Sequence, residues 1–303
     1  MSLLHAKTEL LDIVYEDAGG GDAPAVVLLH GWPDDIRGWR QVAPRLHAAG
    51  YRTIAPYLRG FGLTRFRSQE SIRDGRGVAL AHDAINLADA LRIGSFAVVG
   101  HDWGARAAYT LAALFPDRVA SITGIALAFQ PRAKFQIPSF PQARRFWYQW
   151  LMALDQGADA VRRDPVGFAR IQWQTWSPPG WFTESEFAET AKSFRNPDWG
   201  AITLHGYRSR WLAEPGDPRY AESQQRLEQI EILSTPTLMI QGAADRCDEP
   251  ATSEGLERYF RGPYRRIVLE GVGHFPPREV PERVADVLVE HLIESFPAAS
   301  PRP

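Results

Sequence analysis

Cysteine is almost absent from the chain: Cys247 stands alone among 303 residues. A disulfide within the chain is thereby excluded, as is a metal site built on several thiolates. An excess of charge of one sign is lacking too. The 34 Lys and Arg face 36 Asp and Glu, for a net charge of −2. Both signs are scattered rather than gathered in runs, so nothing marks a surface for nucleic acid or an anionic membrane. No window approaches the roughly 18 uninterrupted apolar residues of a spanning helix. The start, Met1 to Glu9, lacks the basic end, apolar run and small-residue cleavage site of a signal peptide. Internal repeats and low-complexity stretches are missing as well. These absences lead to the expectation of a cytoplasmic protein, monomer or homodimer, with no membrane or nucleic-acid partner.

What is present is enough apolar material, 45% of the residues, for a sizeable core. Short apolar runs alternate with amphipathic stretches. Ala25 to Leu29 reads as a buried strand, followed by turn residues His30-Gly31-Trp32-Pro33-Asp34. Trp39, Val42, Ala43, Leu46 and Ala49 recur at helical spacing until Gly50. A strand from Tyr51 to Ala55, a helix from Val78 to Leu91, a strand from Ser95 to Gly100, a helix from Ala105 to Phe115 and a strand from Val119 to Ala128 follow. The rhythm implies βαβ units and a mostly parallel sheet flanked by helices, an α/β fold.

The alternation breaks near Arg132. From there to about Leu227 the chain is Trp-rich, punctuated by Pro, and helical in pattern. Strands resume at Thr237 to Gly242, with a helix near Thr252 to Phe260, a strand from Arg266 to Leu269, a closing helix near Val280 to Ile293 and a frayed tail, Pro297 to Pro303. Residues 1–132 and 228–303 thus form one core domain, and 133–227 a helical cap inserted between core strands. Such an insertion sits over the ligand crevice at the carboxyl ends of parallel strands. Seven of the ten tryptophans lie in it, as packing or as the wall of an apolar cavity.

Between a strand and a helix stands Gly100-His101-Asp102-Trp103-Gly104. Gly-x-nucleophile-x-Gly in that setting is the signature of a sharp turn that lifts its central side chain above the sheet. The competing reading is an aspartate that N-caps the helix. A carboxylate nucleophile needs no proton removed near neutral pH and can displace a leaving group at an sp³ carbon, giving an ester that water must then cleave. That water needs a base. His274, on the loop after the last strand, supplies one in the chain order nucleophile, acid, His. Asp245, just past the strand at 237–242, is the orienting acid; Asp248 competes for that role. The other place for such an acid, after the strand before the cap, holds no carboxylate in Gly124 to Gln130. The oxyanion of ester cleavage calls for two backbone N–H groups, read as those of Trp103 and Trp32.

On the segments His30-Gly31-Trp32-Pro33, Arg59-Gly60-Phe61-Gly62 and Gly100-His101-Asp102-Trp103-Gly104, the chain resembles the epoxide hydrolase and haloalkane dehalogenase branch of the α/β-hydrolase superfamily along almost its whole length. Tyr57-Leu58 precedes the second segment where such enzymes usually have Asp-Leu. The resemblance implies two cap tyrosines that hold the epoxide oxygen: Tyr148, in a Tyr-Gln pair, and Tyr207, before Arg208. No metal or organic cofactor is implied, and the many aromatics between 133 and 227 suggest a small, mainly apolar substrate. Trp103, Arg106, Gln149, Trp150 and Phe275 are read as lining the substrate pocket. A haloacetate or haloalkane dehalogenase would use the same aspartate. Such enzymes resemble this chain less at Trp32, often Asn in haloalkane dehalogenases, and at Tyr148-Gln149, His-Trp in fluoroacetate dehalogenases. Of the latter's two carboxylate-binding arginines only Arg106 has a counterpart. A non-catalytic ligand-binding protein on the same fold is the reading outside enzymes.

Overall fold

The computed structural model describes residues 3–298. Nine strands form one sheet: β1 (Leu3–Lys7), β2 (Leu11–Ala18), β3 (Ala25–Leu29), β4 (Arg52–Pro56), β5 (Arg65–Phe66), β6 (Phe96–His101), β7 (Val119–Ile125), β8 (Thr237–Gly242) and β9 (Tyr264–Leu269). The spatial order is β1-β2-β4-β3-β6-β7-β8-β9, with β5 paired to β2. Pairings from β4 to β9 are parallel, and the three pairings made by β2 are antiparallel. Every residue of β3, β6 and β8 is buried, which is why these strands read as unbroken apolar runs rather than alternating ones. Helices α1 (Ala43–Ala48), α2 (Gly77–Ala90) and α3 (Trp103–Leu114) follow the early strands; α11 (Pro276–Glu279) and α12 (Pro281–Ser295) close the chain. Helix α1 packs on α12 and α2 on α3.

Between β7 and β8 come α4 (Phe140–Arg145), α5 (Trp147–Ala153), α6 (Asp155–Arg163), α7 (Pro165–Thr175), α8 (Glu184–Ala191), α9 (Trp199–Trp211) and α10 (Ala221–Leu227), with no strand among them. No helix among the described residues is long and apolar enough to cross a membrane.

Four expectations need correction. The helix at 252–260 is two 3₁₀ turns, Pro250–Ser253 and Glu257–Tyr259, broken at Gly255 with φ +66°. The helical pattern from Trp39 to Ala49 is split into a 3₁₀ turn, Ile36–Trp39, and α1, which opens with Pro44 in its first turn. Strand β7 stops at Ile125 because Ala126 turns to φ +60°. The N-terminal pair β1 and β2 was not anticipated; β1 is an edge strand with one buried residue, too weak a pattern to read. The expected frayed tail lies, from residue 299 on, outside the described residues.

The Arg59-Gly60-Phe61-Gly62 segment ties this core together. The Arg59 guanidinium is fully buried and donates to both Asp83 oxygens at 2.6 Å, to the Asp74 carbonyl at 2.9 Å and to the Tyr220 hydroxyl at 2.9 Å. Tyr220 precedes α10, so the pair joins the sheet core to the helices inserted before β8. Tyr57, the departure noted above, lays its ring against Gly62, where a Cβ would come within 2.3 Å of it. Replacing Arg59 with Met strands the Asp83 charge in the interior. We expect a loss of roughly 3–5 kcal/mol of stability, read as a fall in the urea midpoint. An unchanged midpoint would contradict a buried role for the pair.

Candidate active site

The turn between β6 and α3 holds Asp102 at φ +49°, ψ −109°, a backbone conformation rare outside glycine. The flanking glycines permit it by close approach. A Cβ on Gly100 would sit 2.1 Å from the Gly104 carbonyl oxygen, and one on Gly104 would sit 2.0 Å from the Leu29 carbonyl oxygen. Neither neighbour is a movable side chain. The capping reading fails on geometry: the Asp102 side chain accepts no hydrogen bond from α3. Its Oδ1 accepts instead from the Trp32 backbone N–H at 2.8 Å.

Four loops converge at the carboxyl ends of parallel strands. The 30–33 loop follows β3, Asp102 comes directly after β6, Asp245 lies three residues past β8 and His274 five past β9. His274 Nδ1 donates to Asp245 Oδ2 at 2.9 Å, and His274 Nε2 faces Asp102 Oδ2 at 3.8 Å, ion-pair distance. Asp245 is held by the N–H groups of Cys247 and Asp248 and by Gln241 Nε2. Asp248 makes no bond to His274. Of the two competing acids, Asp245 is therefore the one that contacts the imidazole.

Trp103 is the first residue of α3, so its N–H has no partner inside the helix. The other residues of the 30–33 and 100–104 motifs are structural. His30 Nδ1 donates to the Gly31 carbonyl, and His30 Nε2 accepts from the Leu58 N–H. His101 Nε2 donates to the His274 carbonyl at 2.6 Å, tethering the base's loop to the turn. A Cβ on Gly31 would press on Asp102 Cβ at 2.8 Å. The Trp32–Pro33 peptide is cis.

A cavity of about 430 Å³ opens over Asp102. Tyr148 and Tyr207 line it, 2% exposed each, with ring centroids 5.4 Å apart, edge to face. Both rings also pack on Trp32. Gln149 Nε2 donates to the Tyr148 hydroxyl at 2.9 Å, and the Trp103 indole donates to the Tyr207 hydroxyl at 3.2 Å. Arg106 and Gln149 belong to the lining as expected. Trp103, Trp150 and Phe275 do not line this cavity, a correction to the sequence reading. Trp103 stands behind Tyr207. Trp150 is 37% exposed and donates to the Ala143 carbonyl. Phe275 is fully buried, stacked on Trp181 at 4.5 Å behind His274.

Electrostatics separate the groups. Burial alone would depress the His274 imidazolium, yet the Asp245 and Asp102 charges hold its pKa well above the usual value. Burial alone would raise the Asp102 carboxyl; bonding to and charge on His274 outweigh it and keep the pKa below 3.8. Burial, then the Asp245 charge, pushes Asp248 up to about 7. Burial foremost pushes both tyrosine hydroxyls far above 10, so they remain protonated donors. The arrangement provides an ionised carboxylate, an imidazole oriented by Asp245, the Trp32 N–H at the carboxylate and two neutral phenols in the same cavity.

Sequence reading missed the clamp on the base. The Ser177 hydroxyl accepts from the His274 N–H at 2.8 Å and donates to Glu279 Oε1 at 2.7 Å. Glu279 in turn accepts from the N–H groups of Gly273 and Phe275. Ser177 and His274 are 97 residues apart, and no local signal links them.

Residues 24–279 match the family model described as the alpha/beta hydrolase fold. Epoxide hydrolase 1 of Siraitia grosvenorii is 37% identical, over 91% of this chain and 93% of that protein. A solved structure from Klebsiella pneumoniae is 37% identical and superposes with a TM-score of 0.88, covering 95% of this chain and 96% of the other. Epoxide hydrolase A of Mycobacterium thermoresistibile is 26% identical, with a TM-score of 0.75 over 96% and 98% of the two chains. On the family match, these similarities and the sheet with its elbow, the chain belongs to the α/β-hydrolase fold family.

Proposed function

We propose that the protein is an epoxide hydrolase, opening an epoxide to a vicinal diol through an ester on Asp102. The observation that carries the reading is the pair of protonated phenols, Tyr148 and Tyr207, lining one cavity with an ionised Asp102. Residues 133–227 act as the cap that brings these phenols over the core, 1–132 and 228–303. Asp102 Oδ2, free of the Trp32 N–H, attacks the less hindered ring carbon. The carbon–oxygen bond breaks, and the departing oxygen takes a hydrogen bond and then a proton from the tyrosines. His274, oriented by Asp245, removes a proton from water as that water adds to the Asp102 carbonyl carbon. The oxyanion forms on Oδ1 under the Trp32 and Trp103 N–H groups; as it collapses, the departing diol oxygen takes the proton held by His274, and the proton left on the Asp102 acid balances the one the tyrosine gave up.

Dehalogenation would start from the same aspartate but asks for N–H donors to receive halide. Here the Trp32 indole donates to Thr203 Oγ1 at 3.0 Å and the Trp103 indole to Tyr207. Both donors beside Asp102 are already engaged, which favours the epoxide reading.

The test is one turnover with excess enzyme in ¹⁸O-water on a panel of epoxides, with chloroalkanes and fluoroacetate alongside. Label is expected in Asp102 and not in the first diol formed. Label in that first diol would mean direct attack by water on the epoxide. Halide release without diol formation would select dehalogenation, and binding without turnover of any of them would select a ligand-binding protein.

A further inference from the structure

The proposed mechanism leaves one carboxyl of the cavity without a task. Asp248 lines the space over Asp102 together with Tyr148 and Tyr207, yet the imidazole of His274 bonds to Asp245 instead. Three other carboxyls share this wall, and each has a partner. Asp102 accepts from the Trp32 N–H, Glu249 pairs with Arg145 at 3.3 Å and Glu254 with Arg266 at 3.6 Å. Among the described residues, no cation stands within 4.0 Å of the Asp248 carboxyl, and no N–H or O–H donates to it. The Cys247 thiol, 4.0 Å from Oδ2, is too distant to satisfy it.

The main chain around Asp248 is nevertheless held firmly. Its N–H donates to Asp245 Oδ1 at 3.0 Å, and its carbonyl accepts from Gln241 Nε2 at 3.4 Å. Gln142, on the inserted helix α4, grips the peptides on either side. Gln142 Nε2 donates to the Cys247 carbonyl at 2.7 Å, and Gln142 Oε1 accepts from the Glu249 N–H at 2.8 Å. These bonds fix the backbone and leave the carboxyl itself unspent. Burial and the Asp245 charge oppose its ionisation, so a donor that arrives with a ligand supplies the missing bond. The same thiol also touches one of the phenols: Cys247 Sγ is 3.6 Å from the Tyr148 hydroxyl. Tyr148 and Asp248 thus flank a single sulfur atom, and a ring held by Tyr148 has Asp248 within reach of a substituent a few bonds long. Arg106 and Arg210 on the same wall disfavour a cationic substituent, so the matching group is a neutral donor.

We propose that Asp248 is a specificity-determining residue that binds a hydroxyl of the substrate, so that the preferred substrate is an epoxide on an otherwise apolar body with a free hydroxyl a few bonds from the ring. The epoxide end of this inference rests on the function proposed above; the hydroxyl contact does not. A small number of well-placed polar groups in a mainly apolar cavity is how such a site fixes orientation, and a site built to bond a hydroxyl discriminates against the analogue that lacks it.

The experiment pairs two measurements. Turnover of 2-(oxiran-2-yl)ethanol is compared with that of 2-propyloxirane, which carries a methyl in place of the hydroxyl. Binding of 2-(oxolan-2-yl)ethanol and 2-propyloxolane, whose unstrained rings do not open, is followed by NMR titration. The alcohol is expected to be favoured at least about tenfold in both, as kcat/KM and as Kd. Asp248→Leu removes the carboxyl and should bring both ratios to one or below, while Asp248→Asn, which keeps an acceptor oxygen, retains part of the preference. Asp117→Asn alters an exposed carboxyl outside the cavity and should leave the ratios unchanged. A wild-type ratio near one, a preference that survives Asp248→Leu, or one lost equally in Asp117→Asn would overturn the contact. So would an equal fall for both epoxides in Asp248→Leu, which would make Asp248 a support of Asp245 rather than a substrate contact. Tighter binding of 2-(oxolan-2-yl)ethanamine, an ammonium, than of the alcohol would overturn the hydroxyl assignment. Preference among the oxolanes without turnover of either epoxide would keep the contact and sink the epoxide reaction; turnover without preference would do the reverse.

Discussion

His274→Gln is expected to stop the protein halfway. Asp102 should still attack, because a carboxylate needs no proton removed and the Trp32 N–H continues to favour its charge after His274 is lost, but nothing then takes the proton from water. The steady-state rate should fall on the order of 10²–10⁴-fold, and intact mass should rise by the mass of one epoxide. Asp102→Asn should give neither product nor adduct. A His274→Gln protein that turns over like the parent, or stalls without an adduct, would remove His274 from the base's role. The two half-reactions should also separate by pH. Alkylation needs the carboxylate, whose pKa lies below 3.8, so it should persist into acid. Ester cleavage needs neutral imidazole, whose pKa is raised, so it should quicken as pH rises and then level off. Alkylation removes the Asp102 charge, leaving Asp245 as the main upward influence. The rise for the ester should therefore come at lower pH than the titration of His274 in the resting protein, as followed by NMR.

Replacing the phenols tests the leaving-group half of the mechanism. Tyr148→Phe and Tyr207→Phe should each cost on the order of 10²-fold in alkylation rate, comparable to losing one preorganised donor from an oxyanion site. The double variant should fall further, without simple multiplication, because both donors serve one oxygen. Each Phe keeps the ring packing on Trp32, so the fold should be retained, checked by circular dichroism. Ester cleavage, measured on preformed adduct, should be nearly unaffected, since it does not use the phenols. Equal loss in both steps, or no loss in either, would contradict a role confined to the epoxide oxygen. The same variants separate the chemistries: a dehalogenating protein would keep halide release when the phenolic hydroxyls are removed.

The chain itself determined the alternation of strands and helices and the elbow at the centre of the site, because those depend on local rules. Buried parallel strands must be apolar throughout, so β3, β6 and β8 stand out as runs. The elbow needs two glycines at fixed spacing because backbone oxygens lie 2.1 and 2.0 Å from where a Cβ on Gly100 or Gly104 would stand, a demand that nothing but glycine meets. Asp245 and His274 could be read from their places just past β8 and β9. What only the tertiary structure decided is which faces of the Trp-rich helices turn inward. Tyr148 and Trp150 are two residues apart, about 200° around α5. One is buried over Asp102 and the other is half in solvent, a choice made by packing against Trp32 rather than by composition. The Ser177–Glu279 clamp and the Trp103–Tyr207 hydrogen bond likewise join elements far apart in the chain. Their physical cause is contact between helices and loops that no periodicity encodes, so they became legible only once the chain was folded.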